Sequence, residues 1–291
     1  MGGMFGGGYA GPKEVQYMFI DAEQLRCTAV DVGESWFGKP IDIDYRALQA
    51  DRQKVFYYDC LPARPDRADH DAAVAADYEA RRSAKLQFFN ELRRLPGWHV
   101  SEGLAKHRRK ERQQQKEVDI LIAVDMLTHT HRKNMHRLTF VSGDQDFAPL
   151  LEAVVRDGMY VELLYPEGHV ADDLMYFADV ARPMDVDFLH AFSTEAFKRL
   201  NGLPYISNEL NSVPANGVWA GECLHAGVSY AKVWRETPDN MFNITTVQPR
   251  VGSNHYTSVR DKDEARAKRY FTMRMQRDHG LDGPLEWFKR P

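Results

Sequence analysis

The sequence predicts an α/β protein in which a mostly parallel central sheet carries helices on both faces. Short apolar runs of strand length alternate with longer helical patterns up to about residue 190, which is typical of such a sheet. Several of these apolar runs are followed by an aspartate. Of the 291 residues, 43% are hydrophobic and 11% are aromatic, so the chain is able to bury a core and is not of the disordered class.

The individual elements follow from apolar periodicity and from turn residues. Residues 15–20 and 54–58 are continuous apolar runs, which are typical of buried parallel strands. Helical spacing of apolar residues and breakers such as Pro96 and Gly97 define the longer segments. The further predicted elements are helices over 45–50, 71–95, 118–130 and 147–156 and strands over 98–100, 138–141 and 160–164.

Changes in composition divide the chain into three expected parts. Residues 1–12 are rich in glycine and predict a flexible tail. Residues 13–192 contain the alternating pattern and form the predicted α/β domain. Residues 193–291 form a C-terminal extension of unknown fold, because clusters of Pro, Asn and Gly interrupt the pattern and only 261–276 predicts a helix.

Composition also narrows the class of protein. The 38 Lys and Arg residues against 42 Asp and Glu give a net charge of -4, which argues against a uniformly basic coat for nucleic acid. Three cysteines far apart favour neither a disulfide framework nor a cysteine zinc site. No apolar run approaches the roughly 18 residues of a membrane span, and the glycine-rich start lacks the features of a secretion signal. We therefore expect a cytoplasmic protein without membrane contact.

Acidic residues follow the predicted strands at the edge where an open α/β sheet binds its ligands. Asp21 follows the first strand, Asp59 follows the second, and Asp144 and Asp146 follow the strand over 138–141. Asp119 lies at the start of the predicted helix before that strand, where the helix dipole favours a carboxylate. Carboxylates in one crevice repel each other unless a cation neutralises them, and a set of oxygen ligands suits Mg²⁺ or Mn²⁺. An aspartate after a strand is also a common helix N-cap, and Asp59 is only a further candidate ligand.

Two segments of the predicted domain match a known sequence pattern. The chain reads KEVDILIAVDML over 116–127, then LTFVSGDQDFAPLL over 138–151 and GMYV over 158–161. In order and spacing these segments resemble the K-x-VD, D-ML, SGDxDF and G-x-V elements of the NYN domain, in the LabA-like branch of the PIN-like nuclease superfamily. The similarity extends over about residues 15–190.

The first motif of that family, of the type Ile-Asp-Gly-x-Asn-Leu, appears here as IDAEQL over 20–25. The aspartate is retained, whereas Ala22 replaces the glycine and Gln24 replaces the asparagine. The resemblance implies a PIN-like α/β/α fold that binds Mg²⁺ or Mn²⁺ and hydrolyses RNA. The residues that it places in the catalytic and metal-binding positions are Asp21, Asp119, Asp144 and Asp146.

Two other acidic α/β folds fit the sequence less well. Phosphatases of the haloacid dehalogenase type need a second aspartate two positions after the first, where this chain has Glu23. Toprim domains carry a glutamate after the first strand, where this chain has Asp21. Neither fold accounts for the segment 116–127.

Basic residues are concentrated just before the predicted Asp119 helix. Residues 106–116 hold six basic residues and one acidic residue, whereas 117–187 hold fourteen acidic and five basic residues. Such a segment is either a solvated loop or a track that leads phosphates to the carboxylates. A second basic stretch, 260–277, is better explained as an amphipathic helix than as an RNA-binding helix. The candidate nucleic-acid-binding residues are Lys106, Arg108, Arg109, Lys110, Arg112 and Lys116.

The function expected from these observations is that of a Mg²⁺- or Mn²⁺-dependent nuclease, an endoribonuclease by resemblance, with RNA as its partner. One alternative is a catalytically weak or inactive RNA-binding or scaffold module of the same fold, suggested by Ala22 and Gln24. Another is a nuclease that acts on DNA, because nothing in the sequence reads a 2′-hydroxyl. The sequence leaves homo-oligomerisation open.

Overall fold

The computed structural model describes residues 14–65, 68, 71–103, 111–167 and 172–290, with the backbone alone described for 111–116 and 172–173. The tail predicted over 1–12 lies outside the described residues. The chain divides into two compact units, one ending at Asn201 and the other beginning at Gly202. Throughout the described ranges, no helix combines the length and the apolar character that crossing a membrane requires.

The first unit is built on a six-stranded parallel sheet, which confirms the predicted α/β class. The strand order is β3-β2-β1-β4-β5-β6, so the chain winds outwards from β1 to β3 and then outwards from β4 to β6. The direction of winding reverses between β1 and β4, which pair directly. The strands are β1 (Gln16–Asp21), β2 (Lys54–Cys60), β3 (Trp98–Gly103), β4 (Arg137–Val141), β5 (Tyr160–Tyr165) and β6 (Val180–Pro183).

Helices cover both faces of this sheet. A short 3₁₀ turn, Gln145–Phe147, connects β4 to the helix that follows it. The helices are α1 (Ala22–Phe37), α2 (Tyr45–Gln49), α3 (Ala72–Arg93), α4 (Glu111–His131), α5 (Ala148–Arg156), α6 (Asp172–Tyr176), α7 (Val186–Ala191) and α8 (Glu195–Leu200).

Alternating strand residues form two buried clusters, one on each face of the sheet. Phe19 and Ile122 of α4 belong to the first cluster, and Ile20 and Phe89 of α3 belong to the second. Burial of each such large apolar side chain contributes about 1.5–3 kcal/mol. Both faces of the strands are therefore apolar, which is the reason that the strands appear in the sequence as continuous apolar runs.

The second unit is an antiparallel sheet with one long helix. The strand order is β12-β8-β9-β10-β11-β7, and α9 (Glu264–His279) packs on β10 and β11. Tyr270 and Phe271 of α9 are buried, and the Phe271 ring lies 6.0 Å from the ring of Trp287. The strands are β7 (Tyr205–Glu209), β8 (Gly217–His225), β9 (Val228–Glu236), β10 (Met241–Thr246), β11 (Tyr256–Asp261) and β12 (Glu286–Lys289).

Two differences between the predicted and observed elements affect the site. α1 was not predicted, because its β-branched residues and Gly33 have low helix propensity. The prediction that Asp119 lies at the start of a helix is wrong, because α4 begins at Glu111. Asp119 is eight residues inside α4, so the helix dipole does not act on it as it does in the first turn.

The strands of the second unit also escaped prediction. They carry polar side chains at many positions and are joined by turns rich in Asn, Gly and Pro. A strand of this kind is stabilised by its neighbours in the sheet rather than by a local apolar run. The predicted helix over 261–276 is confirmed as α9, shifted by three residues.

Candidate functional site

The carboxyl ends of β1 and β4 form the crevice to which the topology directs a ligand. In an open α/β sheet the ligand binds outside the carboxyl ends of the strands, at the point where the strand order reverses. Here β1 pairs with β4 in parallel, with Ile20 opposite Val141. Asp21 ends β1, and Asp144 lies three residues beyond the end of β4. Two of the predicted site residues therefore lie on adjacent strand ends at the reversal point.

Asp21 has a structural role as well as a position in the crevice. One carboxylate oxygen, Oδ1, accepts hydrogen bonds from the backbone N–H groups of Glu23 and Gln24, at 3.1 and 3.3 Å, and so caps α1. The side chain is only 8% exposed. The cap fixes the direction of this carboxyl group, and the N-cap alternative considered from the sequence is thus confirmed for Asp21.

Asp119 and Asp144 act electrostatically on Asp21. The pKa of Asp21 is raised to about 7, mainly by burial and further by the negative charges of Asp119 and Asp144, while the backbone N–H groups of Gln24 and Glu23 lower it. α4 follows β3 and precedes β4, so the helix runs from the carboxyl edge of the sheet towards the opposite edge. Asp119 lies near the middle of α4, close enough to Asp21 at the end of β1 for its charge to act on that side chain. Three of the four predicted carboxylates are thus within electrostatic reach of one another.

The donor chemistry of these carboxylates suits a divalent ion. All three side chains offer oxygen ligands, which Mg²⁺ and Mn²⁺ prefer. A cation between them would relieve the repulsion that adds to the effect of burial on the pKa of Asp21. The side chains are not already gathered into a coordination sphere. Among the described residues, no group of three or more His, Cys, Asp or Glu side chains is arranged to hold a metal ion.

The remaining predicted carboxylates, Asp146 and Asp59, have different surroundings. Asp146 is exposed in the 3₁₀ turn, and its backbone N–H donates to Oδ1 of Asp144 at 3.0 Å. Asp59 is buried, and its Oδ1 accepts a hydrogen bond from Nζ of Lys85 at 2.8 Å. The structure therefore places a cation already beside Asp59, whereas Asp146 lies on the same loop as Asp144.

The predicted nucleic-acid-binding residues lie mostly outside the described residues. Lys106, Arg108, Arg109 and Lys110 are in the undescribed range 104–110. The backbone of Arg112 and Lys116 is helical, in the first turns of α4. Positions 112, 116 and 119 are spaced four and three residues apart, so they share one face of that helix. The first turns of α4 extend about 12 Å beyond Asp119, at 1.5 Å per residue.

Three features of the site were not identified from the sequence. Tyr58, which is fully buried, donates a hydrogen bond to Oδ2 of Asp125 on α4 at 2.9 Å. Lys85 of α3 pairs with Asp59. A Cβ atom on Gly143 would lie 3.4 Å from Oε1 of Gln24, so the side chain at the altered family position reaches the Asp144 loop. Each of these contacts joins segments far apart in the chain, and no local pattern signals them.

The six-stranded parallel sheet with helices on both faces is consistent with a PIN-like α/β/α fold. The NYN domain family matches residues 17–185, more than half of the chain, and the chain belongs to this family. NYN domains are in general nucleases, so the function is of the nuclease type.

A solved structure from Vibrio parahaemolyticus is among those similar to this chain. It is the crystal structure of a protein of unknown function, with 18% sequence identity and a TM-score of 0.43. The similarity covers 60% of this chain and 95% of that chain. No curated protein matches the sequence.

Proposed function

We propose that this protein is a ribonuclease that hydrolyses RNA phosphodiester bonds with the help of Mg²⁺ or Mn²⁺. The observation that carries the proposal is the position of Asp119 and Asp144 beside Asp21, close enough that their charges raise its pKa. The charge effect of Asp119 and Asp144 on Asp21, at the reversal point of the sheet, supports a cation site there.

Asp21, Asp119, Asp144 and Asp146 are the residues that would hold the ion, and Asp59 is set apart from them by its pair with Lys85. A bound divalent ion lowers the pKa of a water molecule and stabilises the charge of a phosphoryl group under attack. The chain itself supplies orientation. The backbone N–H of Glu23 donates to Oδ1 of Asp21, and the backbone N–H of Asp146 donates to Oδ1 of Asp144, so each carboxyl group is held by its own loop or cap.

The substrate assignment rests on charge and on the family. The shared face of positions 112, 116 and 119 begins in a basic stretch and ends at a carboxylate of the site. Lys and Arg side chains in such a stretch bind phosphates and release counterions, which makes binding dependent on salt. We propose RNA as the substrate because the sequence resembles the NYN domain family.

Cleavage of labelled RNA tests the proposal. The full chain is incubated with single-stranded and structured RNA in Mg²⁺, in Mn²⁺ and in EDTA, beside the same sequences as DNA. We expect cleavage of RNA that EDTA abolishes and that Asp144→Asn reduces by at least about a hundredfold, the scale of losing one electrostatic contributor. Asp44→Asn is the control, because Asp44 caps α2 as Asp21 caps α1, with two contacts of 3.0 Å. Cleavage that Asp144→Asn leaves unchanged contradicts the assignment.

A second candidate function is an inactive RNA-binding module of the same fold. Ala22 is buried, and Gln24 reaches towards Gly143, so the first motif differs from the family pattern at the mouth of the crevice. RNA binding that depends on salt, without cleavage under any metal, supports this function. Cleavage of DNA in preference to RNA supports a deoxyribonuclease.

A further inference from the structure

Asp21 ends β1 and Asp59 is the last residue but one of β2, and the two side chains face opposite sides of the sheet. In the register of β1 and β2, Asp21 lies opposite Tyr58, and the Tyr58 phenol donates to Asp125 of α4. Side chains alternate along a strand, so the next residue, Asp59, points to the face that carries α1 and α3. Adjacent strands are about 5 Å apart, so both carboxylates remain at the same carboxyl edge.

Lys85 is held at this edge by a buried partner. Its Nζ lies 2.8 Å from Oδ1 of Asp59, and the Asp59 side chain is 7% exposed whereas that of Lys85 is 26% exposed. Nζ also lies 5.9 Å from the centre of the Phe89 ring, so the lysine stem runs along the helix that bears it. An ammonium group has three donors. The Lys85 side chain is therefore held by Asp59 and remains partly exposed to solvent.

The residues of α1 near Lys85 are also charged. Glu23 forms an ion pair with Arg26, and both are partly exposed. The charge of Lys85 acts on Glu23, and that of Asp59 acts on Arg26, so the four groups lie within electrostatic reach of one another. The α1 and α3 side of the edge therefore holds two cations and the two carboxylates that pair with them, and Lys85 is the cation whose partner is buried.

We propose that Lys85 contacts a phosphate of the bound nucleic acid, so that the strand crosses the carboxyl edge of the sheet from α4 to α3. This inference rests on the proposed function, because the strand is its substrate. The Asp59 carboxylate pairs with the Lys85 ammonium group, so removal of the Asp59 charge leaves the Lys85 charge available to the phosphate. A single strand laid across the edge would place one phosphate over the Asp21 carboxylate and a neighbouring phosphate beside Lys85.

Salt-dependent binding measures this contact without requiring catalysis. Fluorescence anisotropy with a labelled single-stranded RNA of about 20 nucleotides is recorded for the full chain in EDTA, over about 50–200 mM KCl. Lys85→Gln is compared with Lys198→Gln. Lys198 is a matched control, because it is 28% exposed and pairs with Glu195 at 3.0 Å on α8.

We expect Lys85→Gln to weaken binding about tenfold at low salt, the equivalent of one charged hydrogen bond, and to reduce the slope of log K against log salt by about 0.7. Lys85→Arg should retain the slope, and Lys198→Gln should leave both quantities unchanged. Asp59→Asn is decisive. It breaks the same ion pair but keeps the Lys85 charge, so it should preserve the slope and leave binding as tight or tighter.

Two outcomes overturn the inference. The first is a slope for Lys85→Gln equal to that of Lys198→Gln, and the second is an equal loss in Asp59→Asn and Lys85→Gln, which indicates a purely structural pair. If Lys85→Gln unfolds because Asp59 is left without its partner, the double variant Asp59→Asn/Lys85→Gln removes both charges and should show the reduced slope. RNA binding that depends on Lys85 without any cleavage leaves this inference standing while the nuclease assignment fails. Cleavage that is indifferent to Lys85 does the reverse.

Discussion

The Tyr58 phenol and the Asp125 carboxylate form a 2.9 Å hydrogen bond between β2 and α4. Tyr58 is fully buried and lies opposite Asp21 in the strand register, and Asp125 is six residues after Asp119 on the same helix. The bond thus connects α4, which carries Asp119, to β2, which lies beside Asp21 of β1. Burial and the neighbouring Asp125 charge raise the pKa of Tyr58, so the phenol remains a donor over the whole physiological range.

Tyr58→Phe should destabilise the protein by about 1–3 kcal/mol, because the ring is retained but a partly buried carboxylate loses its donor. Urea unfolding at neutral pH measures the change. Asp125→Asn and the double variant complete a thermodynamic cycle, in which the coupling between the two side chains should exceed about 0.5 kcal/mol. Strictly additive effects would show that the bond contributes nothing to the stability of the fold.

The raised pKa of Asp21 predicts a pH-dependent stability. The folded-state value is about 7, against about 3.9 in an unfolded chain, so the folded protein binds more protons between these values. The free energy of unfolding should therefore fall as pH rises from about 4 to about 7, by roughly 4 kcal/mol at 1.36 kcal/mol per unit. Asp21→Asn should remove this decrease, and Asp44→Asn should keep it. Urea unfolding of the three proteins at intervals of pH, in EDTA, makes the comparison, and a wild-type slope that persists in Asp21→Asn contradicts the assignment.

A divalent ion at the site should stabilise the fold. A ligand that binds only the folded state adds RT ln(1 + [L]/Kd), about 2.7 kcal/mol at a hundredfold excess over Kd. Mn²⁺ or Mg²⁺ should therefore raise the melting temperature of the wild-type protein by several degrees and should have much less effect on Asp21→Asn, which has lost a ligand charge. Asp44→Asn should respond as the wild type does. A melting temperature that is the same with and without metal in all three proteins argues against a metal site.

A substitution at Gly143 tests whether cleavage depends on the position of the Asp144 loop. A Cβ at this position would lie 2.7 Å from Cδ of Pro166 and 3.4 Å from Oε1 of Gln24, closer than side chains tolerate in the first case. Gly143→Ala should therefore displace the loop and lower the cleavage rate at least about tenfold, with a stability loss of about 1–3 kcal/mol from overpacking. Gly202→Ala is the matched control, because its Cβ would meet nothing within 4 Å. Full activity in Gly143→Ala would show that the loop adjusts freely.

The α/β class of the fold could be predicted from the sequence alone, and the same sequence patterns suggested the candidate site carboxylates. Strands buried on both faces must be continuously apolar, and the carboxyl edge of a parallel sheet must be where they end, so runs such as 15–20 and the following Asp21 are visible without coordinates. The segment 116–127 with its aspartate is likewise a local pattern. The polar strands of the second unit have no such signal, because their stability comes from cross-strand neighbours.

The surroundings of each acid could not be read from the sequence. Asp21 and Asp59 are equivalent in the sequence, each following an apolar run, yet alternation along β2 turns Asp59 to the face of α3 and into a pair with Lys85. Asp119 was expected at the start of a helix, but α4 begins at Glu111, so Asp119 lies inside the helix and near Asp21. The direction of a side chain depends on the register of its strand or on where its helix begins. Both are set by contacts with segments that are distant in the chain.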